Sequence, residues 1–429
     1  MSRQVVFNTF GSLGDLHPHL GIALGMRDRG HDVTLATAEF YRDKVAATGL
    51  KFAPIRPDLP DGKDRDLMAR VMDDRKGPEM IVKELMMPTL RETYEDLIRV
   101  TQGADLLVSH VIPYAAQLVA DKTGIPWASI NPAPLCFFSS YDPPVLPPVP
   151  GLDRLRFLGR GFFGPLLWLA KRMTKSWCHE WRTLRAELGL RAYNGNPITD
   201  GIHSPQLALA IFSRLLAEPQ PDWPVNTKMT GFPFYDRHDG SNGLSPELNE
   251  FLDAGESPIV FTLGSAAVQT AGNFYDVSAR AAERLGRRAI LLVGKETGNT
   301  PDRLPPGVIA CDYAPFTELF PRAAAIVHQG GVGTTGQGMR SGRPTLVMPF
   351  SHDQFDNAAR VKRLGCSRTI FRRQYTAERA ARELQTLLET PAYSTRAAEV
   401  GRQVSAERGV DAACDALEEM LFSNRATIG

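Results

Sequence analysis

The sequence is poor in cysteine and close to electrically neutral. Its 429 residues include five cysteines, with no C-x-x-C pair and no zinc-ligand spacing to histidine. The chain therefore offers neither a disulfide framework nor a zinc site, and its thiols are expected to be small buried residues in a reducing compartment. The formal net charge of +1 gives no sign of a binding surface for nucleic acid or acidic lipid.

Long apolar runs are also lacking. No stretch reaches the roughly 18 apolar residues that a membrane-spanning helix needs, and the nearest one, FLGRGFFGPLLWLAKRM, is interrupted by glycine, arginine and proline. The first residues, MSRQVVFNTFGSLGD, run directly into a strand and a polar glycine turn, unlike a signal peptide. The sequence predicts a soluble cytoplasmic protein with no integral membrane segment.

Alternation of strands and helices is abundant in both halves of the chain. Strand patterns at QVVFNTF, HDVTLAT, DLLVSH, PWASIN and QLALAIFS are separated by helical stretches, and SPIVFTLGS, RAILLVG, GVIACDY, AAAIVHQ and TLVMPF repeat the arrangement. Such alternation indicates parallel sheets covered by helices on both faces. The predicted fold class is α/β, with two Rossmann-like, doubly wound parallel-sheet domains that face each other across a cleft.

The domain boundaries follow from changes in composition. Residues 1–229 form the predicted N-terminal domain, the Gly-, Pro- and Asp-rich residues 230–248 a linker, residues 249–408 the C-terminal domain, and residues 409–429 a terminal helix that is expected to pack back on the N-terminal domain. The segment PAPLCFFSSYDPPVLPPVP is predicted to be an extended surface loop because of its prolines. The aromatic stretch after it either packs on the first domain or forms the wall of an apolar pocket.

A glycine turn follows a predicted strand in AAIVHQGGVGTTGQGM, residues 324–339. It contains Gly331-x-Gly333-x-x-Gly336, and Asp353 follows at the distance typical of a dinucleotide-binding ribose acid. Free amides and threonine hydroxyls at the positive end of a helix suit a diphosphate. The pattern alone leaves three interpretations open: a nicotinamide site, a site for another diphosphate, and a plain strand-to-helix turn.

A second glycine turn lies near the N-terminus, in TFGSLGDLHPHL. Pro18 suits the first position of a helix, which makes His17 the predicted N-cap. Asp15 is then expected in the loop, facing the cleft. It can act there as a base, or it can merely bind the amides at the start of the helix.

The stretch YAPFTELFPRAAAIVHQGGVGTTGQGMRSGRPTLVMPFSHDQFDN, residues 313–357, resembles the donor-binding signature of family 1 glycosyltransferases, which have the GT-B fold. It is most similar to the bacterial branch that acts on lipids, sterols, polyketides and flavonoids. FGSLGDLHPHLGIALGMRDRGHDVTLAT resembles the N-terminal motif of that branch, and MTGFPFYDR resembles its linker. The resemblance covers nearly the whole chain.

The resemblance implies roles for individual residues. It implies that Tyr313 stacks on the nucleotide base, that Gln337 bonds the ribose, and that Asp353 and Gln354 bond the sugar hydroxyls. The remaining donor-binding residues that it implies, around the diphosphate, are Ser12, Ser265, His328, Gln329, Gly331, Gly333, Thr334 and Thr335.

The chain departs from the family pattern at two positions. Many members have a histidine immediately before the Gly-Gly pair, where this chain has Gln329, with His328 one position earlier. Phe316 stands where plant members have a glutamine. A glutamine amide can donate to a phosphate but brings no positive charge, so the leaving diphosphate would depend more on helix amides.

The resemblance also implies the reaction. Asp15 stands where bacterial members have a catalytic aspartate, and His17 is the second candidate for the base. The predicted function is an inverting, metal-independent transfer of a hexose to a hydroxyl of an apolar small molecule. The expected donor is UDP-glucose; the alternatives are a dTDP-rhamnose-dependent enzyme and an inactive protein that binds nucleotide sugars as a partner. No cofactor and no nucleic acid is implied.

Overall fold

The computed structural model describes residues 2–58, 64–147, 149–236, 243–295 and 298–423, and within them the strands form two parallel sheets. The strands of the first sheet are β1 (Gln4–Asn8), β2 (Asp32–Thr37), β3 (Lys51–Pro54), β4 (Leu106–His110), β5 (Trp127–Asn131), β6 (Leu207–Ala210) and β7 (Thr227–Met229). The α-helices around it are α1 (Leu13–Asp28), α2 (Arg42–Ala46), α3 (Arg65–Val71), α4 (Gly77–Met80), α5 (Leu90–Val100), α6 (Ala116–Thr123), α7 (Gly159–Thr174) and α8 (His179–Glu187).

The second sheet belongs to the C-terminal half. Its strands are β8 (Ile259–Thr262), β9 (Ala289–Leu292), β10 (Val308–Cys311), β11 (Ala325–His328), β12 (Thr345–Val347) and β13 (Ser367–Thr369). The α-helices of this half are α9 (Pro246–Asp253), α10 (Gly264–Ala267), α11 (Phe274–Leu285), α12 (Phe316–Leu319), α13 (Val332–Arg340), α14 (Gln354–Arg363), α15 (Ala377–Glu389), α16 (Pro391–Ser405) and α17 (Gly409–Ser423). The prediction of two doubly wound α/β domains is confirmed.

Both sheets have the same topology, and this topology locates the ligand sites. The strand order is β3-β2-β1-β4-β5-β6-β7 in the first sheet and β10-β9-β8-β11-β12-β13 in the second. The order reverses beside β1 in one sheet and beside β8 in the other, which leaves a crevice beyond the carboxyl ends of the central strands. The loops after β1, β4, β8 and β11 therefore border the positions where this fold binds ligands.

The C-terminal helix α17 packs against α1 of the first domain. Arg29, at the end of α1, pairs with Asp415 at 2.6 Å and with Glu418 at 2.7 Å. The two helices approach so closely that a Cβ on Gly25 would lie 2.8 Å from Cys414 Sγ. The predicted domain boundaries stay a prediction: residues 237–242 of the linker and residues 424–429 of the terminal helix lie outside the described residues, and α9 begins at Pro246.

The proline-rich segment differs from its prediction as a surface loop. It contains a 3₁₀ turn at Pro134–Phe137, and Val145 is buried. The amide of Val145 donates to Asp356 Oδ1 at 3.0 Å, so the segment lies against α14 of the other domain. Contact with the second domain, which a local pattern does not reveal, buries it; Pro148 lies outside the described residues.

The described residues contain neither a metal-binding cluster nor a membrane-spanning helix. In the described ranges, no group of three or more His, Cys, Asp or Glu side chains could hold a metal ion. Over the same residues, no helix is both long and apolar enough to cross a bilayer. All five cysteines are free, and Cys178, Cys366 and Cys414 are buried.

Candidate functional site

The N-terminal glycine turn holds Asp15 at the start of α1. Ser12 is the N-cap, its hydroxyl accepts from the amide of Gly14 at 3.2 Å, and its own amide donates to Asp15 Oδ2 at 2.8 Å. The carboxylate folds back over Gly11, which has φ +126°, and a Cβ on Gly11 would overlap Asp15 Oδ2. Glycine is required there both for its φ and for the space it leaves.

This geometry corrects two predictions. Ser12, and not His17, caps α1, so Asp15 lies in the first helical turn rather than in the preceding loop. His17 is two positions from Asp15, about 200° around the helix, and its ring lies 5.2 Å from the ring of Tyr235. The structure therefore directs Asp15 and His17 to different sides of α1.

The environment of Asp15 raises its basicity. Its side chain is 27% exposed, and burial raises its pKa to about 6 despite the opposing hydrogen bonds from Ser12. His110 Nε2, at the end of β4, lies 3.7 Å from Asp15 Oδ1. Burial lowers the pKa of His110 to about 3, so this histidine is neutral near pH 7. Since Ser12 binds only Oδ2, Oδ1 remains available to accept a proton.

The glycine turn between β11 and α13 brings several predicted donor-binding groups together. The amide nitrogen of Gln329 lies between two glycines: a Cβ on Gly331 would be 2.8 Å from Gln329 Nε2, and one on Gly264 would overlap it. The same Cβ on Gly264 would lie 3.2 Å from Thr334 Oγ1. Gln329 is buried, and its Oε1 has no hydrogen-bond partner among the described residues. The segments after β8 and β11 thus form one polar cradle at the N-terminus of α13.

His328 faces the inside of this turn. Its Nδ1 accepts from the amide of Gly330 at 3.0 Å, and burial lowers its pKa to about 3. A Cβ on Gly330, which has φ +91°, would lie 2.8 Å from Val347 Cγ1. His328 therefore stabilises the turn as a neutral acceptor and brings no positive charge to the cradle.

The Asp353-Gln354 pair lies at the start of α14. Gln354 Oε1 accepts hydrogen bonds from the amides of Phe350 at 2.8 Å and Ser351 at 3.3 Å. This oxygen therefore stabilises the loop that precedes α14. Asp353 Oδ2 accepts from Asn357 Nδ2 at 2.7 Å, and the same nitrogen donates to the carbonyl of Gly330 at 2.9 Å. Asn357 therefore ties the acidic residue to the glycine turn.

The two domains meet at this site. A Cβ on Gly333 would lie 4.0 Å from the Cα of Gly14, so the N-termini of α1 and α13 face each other. Burial, helped by the charge of Asp15 in the other domain, raises the pKa of Asp353 to about 7 against the lowering effect of the hydrogen bond from Asn357. Two carboxyl groups from different domains, both with raised pKa values, thus share one cleft.

A loop of the C-terminal domain is clamped by the N-terminal domain. His352 has φ +56°, a left-handed conformation that is strained for a residue with a Cβ. Its ring is hydrogen-bonded to the backbone of Val71, and Ser351 Oγ donates a hydrogen bond to the carbonyl of Asp73 at 2.9 Å. Met72 is buried in the core of the second domain. The end of α3 and the residues after it therefore contact the loop that carries Asp353.

The remaining predicted donor-binding residues lie on separate elements and differ in exposure. Tyr313, in the loop after β10, is 57% exposed. Ser265 is exposed on α10, directly after β8, and Gln337 is half-buried on α13. Thr335 is buried, and its hydroxyl has no hydrogen-bond partner among the described residues.

Sequence reasoning gave no site role to Asn357 or His352. Asn357 is four residues after Asp353, a spacing that puts both side chains on one face of a helix. That spacing was a usable signal for Asn357. His352 and His110 become relevant only through contacts between residues far apart in the chain.

Family models match both halves of the chain. One described as the family 28 glycosyltransferase N-terminal domain matches residues 5–125. Another, described as the C-terminal domain of erythromycin biosynthesis protein CIII-like proteins, matches residues 280–420.

Individual relatives cover nearly the whole chain. O-mycaminosyltylonolide 6-deoxyallosyltransferase of Streptomyces fradiae is 31% identical over 97% of this chain and 97% of its own length. A sterol 3-beta-glucosyltransferase of Debaryomyces hansenii is 26% identical over 98% of this chain, which spans only 27% of that enzyme.

Solved structures show the same fold. The glycosyltransferase of kitacinnamycin superposes with a TM-score of 0.72 at 22% identity, over 98% of this chain and 100% of that one. A glycosyltransferase in complex with dTDP superposes with a TM-score of 0.67 at 20% identity, over 99% and 100% of the two chains.

Proposed function

This chain belongs to the glycosyltransferases of the family 1 and family 28 type, which have the GT-B fold, and we propose from that premise that it is an inverting, metal-independent hexosyltransferase. It is a nucleotide-sugar-dependent enzyme that acts on small molecules. In the proposal the C-terminal domain binds the donor, and the N-terminal domain binds an apolar acceptor through one hydroxyl. Membership of this family rules out the nicotinamide interpretation of the glycine pattern.

One observation carries the proposal: the carboxylate of Asp15 and the amide cradle at α13 border the same cleft from opposite domains. The two helix N-termini approach each other at Gly14 and Gly333. A diphosphate between them would interact with amides at the positive ends of two helices. A hydroxyl near Asp15 would then be close to the sugar on that diphosphate.

The proposed step is a single displacement. Asp15 Oδ1 takes the proton of the acceptor hydroxyl, whose oxygen forms a bond to the anomeric carbon of the sugar. The bond between that carbon and the diphosphate oxygen breaks, and the nucleoside diphosphate leaves with the electron pair. A pKa of about 6 leaves Asp15 ionised at neutral pH while making it a stronger base than an exposed aspartate.

The leaving diphosphate is held without a nearby cation in this proposal. Gln329 stands where many family members have histidine, and His328 is neutral. The amides after Gly331, the Gln329 side-chain amide and the hydroxyl of Thr334 are the proposed donors to the phosphate oxygens. Asp353 is the proposed acceptor for hydroxyls of the sugar.

Two donors are candidates. O-mycaminosyltylonolide 6-deoxyallosyltransferase, which aligns over 97% of each chain, is named for the transfer of a 6-deoxyallosyl group. A structurally similar glycosyltransferase was solved in complex with dTDP. We therefore rank a dTDP-linked deoxyhexose ahead of the UDP-glucose expected from the sequence. UDP-glucose is the second candidate, because glucosyltransferases that act on sterols are 26% identical over 98% of this chain.

Nucleotide binding gives a direct test of the donor assignment. We expect dTDP to raise the melting temperature more than UDP does, and NAD to leave it unchanged. A ligand at a hundred times its dissociation constant adds about 2.7 kcal/mol to the free energy of unfolding. Thr334→Val, which keeps the side-chain shape, should reduce this shift, whereas Thr386→Val, at a half-buried position on α15, should not. Stabilisation by NAD alone would contradict the proposal.

A further inference from the structure

Helix α7 exposes a broad apolar face on the N-terminal domain. Trp168 is 62% exposed and Met173 is 67% exposed, and Leu169 and Phe162 are also exposed. Just before the helix, at the end of the 3₁₀ segment Pro150–Leu158, Phe157 is 80% exposed. Exposed apolar side chains are common singly, but a contiguous group of large ones marks a contact surface.

Another face of α7 is buried within the protein. Phe163 and Leu167 are the buried residues of this helix. At about 100° per residue, Phe162, Leu169 and Met173 lie within about 40° of one another and roughly 120° from the centre of the buried face. A helix that is apolar on both faces is normally covered on both. Among the described residues, only one face of α7 is covered.

The charge around this face is predominantly positive. Residues 154–179 include six basic residues and no acidic residue, although the whole chain has a formal charge of +1. The six are Arg154, Arg156, Arg160, Lys171, Arg172 and Lys175. Two of them are neutralised by partners outside the segment, since Arg156 pairs with Asp142 and Lys171 with Asp200. The other four lie on or next to α7, and of the two acidic residues that flank the segment, Asp153 pairs with Arg363 and Glu180 is exposed on α8, so a net positive charge remains.

We propose that the exposed face of α7 docks on the surface of an anionic lipid bilayer. Large apolar side chains combined with arginine and lysine are the pattern of helices that lie in the headgroup region. Trp168 has an amphipathic ring of the kind that is enriched at membrane interfaces, and Arg172 lies over that ring at 5.8 Å. The positive charge complements acidic headgroups and makes a bilayer the favoured occupant over a neutral protein surface.

The test is flotation of the full chain with vesicles. We expect binding to vesicles of phosphatidylcholine with phosphatidylglycerol, weaker binding to phosphatidylcholine alone, and loss of binding in about 0.5 M salt. Trp168→Ser with Met173→Ser should lower the partition coefficient at least about tenfold for each side chain. Arg154→Gln with Arg172→Gln should lower it about fivefold for each charge.

A matched control separates this face from exposed apolar surface in general. Val225 is fully exposed outside α7, and Val225→Ser should leave vesicle binding unchanged. The arginine variants change only exposed side chains, so they keep the test valid if the Trp168 and Met173 variants fold poorly. Equal binding to both vesicle types, or none to either, overturns the proposal. A dimer in gel filtration that the α7 variants dissociate, without vesicle binding, would assign the face to a second copy of the chain.

Discussion

Replacing Asp15 by asparagine should reduce kcat about a thousandfold, because a positioned base contributes roughly 10²–10⁴-fold to a reaction of this kind. Asparagine keeps the shape of the side chain and one oxygen that can accept from the amide of Ser12. The start of α1 should therefore remain folded. The measurement is the rate of acceptor-dependent release of nucleoside diphosphate, with the nucleotide-induced melting shift as evidence that the donor site is intact.

The same variant decides between two roles for Asp15. Its Oδ2 satisfies the amide of Ser12, so a role confined to helix capping would predict about 1 kcal/mol of lost stability and an almost unchanged rate. Glu378→Gln is the matched control, since it removes a carboxylate from the first turn of α15, far along the chain from the cleft. A variant Asp15→Asn that keeps clearly more than about a hundredth of the activity, the fraction left by the smallest effect of a lost base, would exclude Asp15 as the base.

Replacing Arg360 by methionine should lower the free energy of unfolding by about 3–5 kcal/mol, because it leaves the buried carboxylate of Asp356 without its cationic partner. Arg360 is buried on α14, where its Nε donates to Asp356 Oδ2 at 2.7 Å and its Nη1 pairs with Asp142 of the N-terminal domain. The carbonyl of Leu216 accepts a further bond at 3.1 Å. Urea denaturation followed by fluorescence measures the loss.

Arg363 provides the control for this prediction. It lies on the same helix, pairs with Asp153 at 3.4 Å and is partly exposed, so Arg363→Met should cost at most about 1 kcal/mol. Adding Asp356→Asn to Arg360→Met removes the carboxylate charge that is left unpaired and should recover part of the stability. Equal small losses at Arg360 and Arg363 would mean that the buried cluster does not hold the two domains together.

The fold could be predicted largely because its signals are local. The central strands are continuous apolar runs, and both glycine turns follow directly from such runs. The strands that the patterns missed, β3, β7 and β13, lie at the edges of the two sheets and have only three or four residues. An edge strand has a neighbouring strand on one side only and is less buried than a central strand. Sequences such as TKM and SRT therefore carry no continuous apolar signature.

The start of α1 shows how one local rule can override another. The preference of proline for a first helical position favoured a start at Pro18, yet Pro18 lies inside the helix. The reciprocal bonds between Ser12 and Asp15 form a capping box that begins α1 earlier. The S-x-x-D spacing was visible in the sequence, and giving it more weight would have predicted the observed start.

Contacts between the domains were beyond sequence reasoning. The burial of Met72 in the other domain and the bond from Ser351 to Asp73 join residues about 280 positions apart. Periodicity and spacing carry no information over such a separation. The basic apolar face of α7 was missed for a different reason, since a net charge of +1 averages it with the rest of the chain.

The configuration of the product tests the central claim most directly. If Asp15 is the single base of a direct displacement on a donor held at α13, the anomeric carbon must invert. Proton NMR of the purified glycoside, formed with whichever nucleotide sugar supports transfer, should therefore show the anomeric configuration opposite to that of the donor. A product that retains the configuration of the donor would require two displacements and would contradict the role assigned to Asp15.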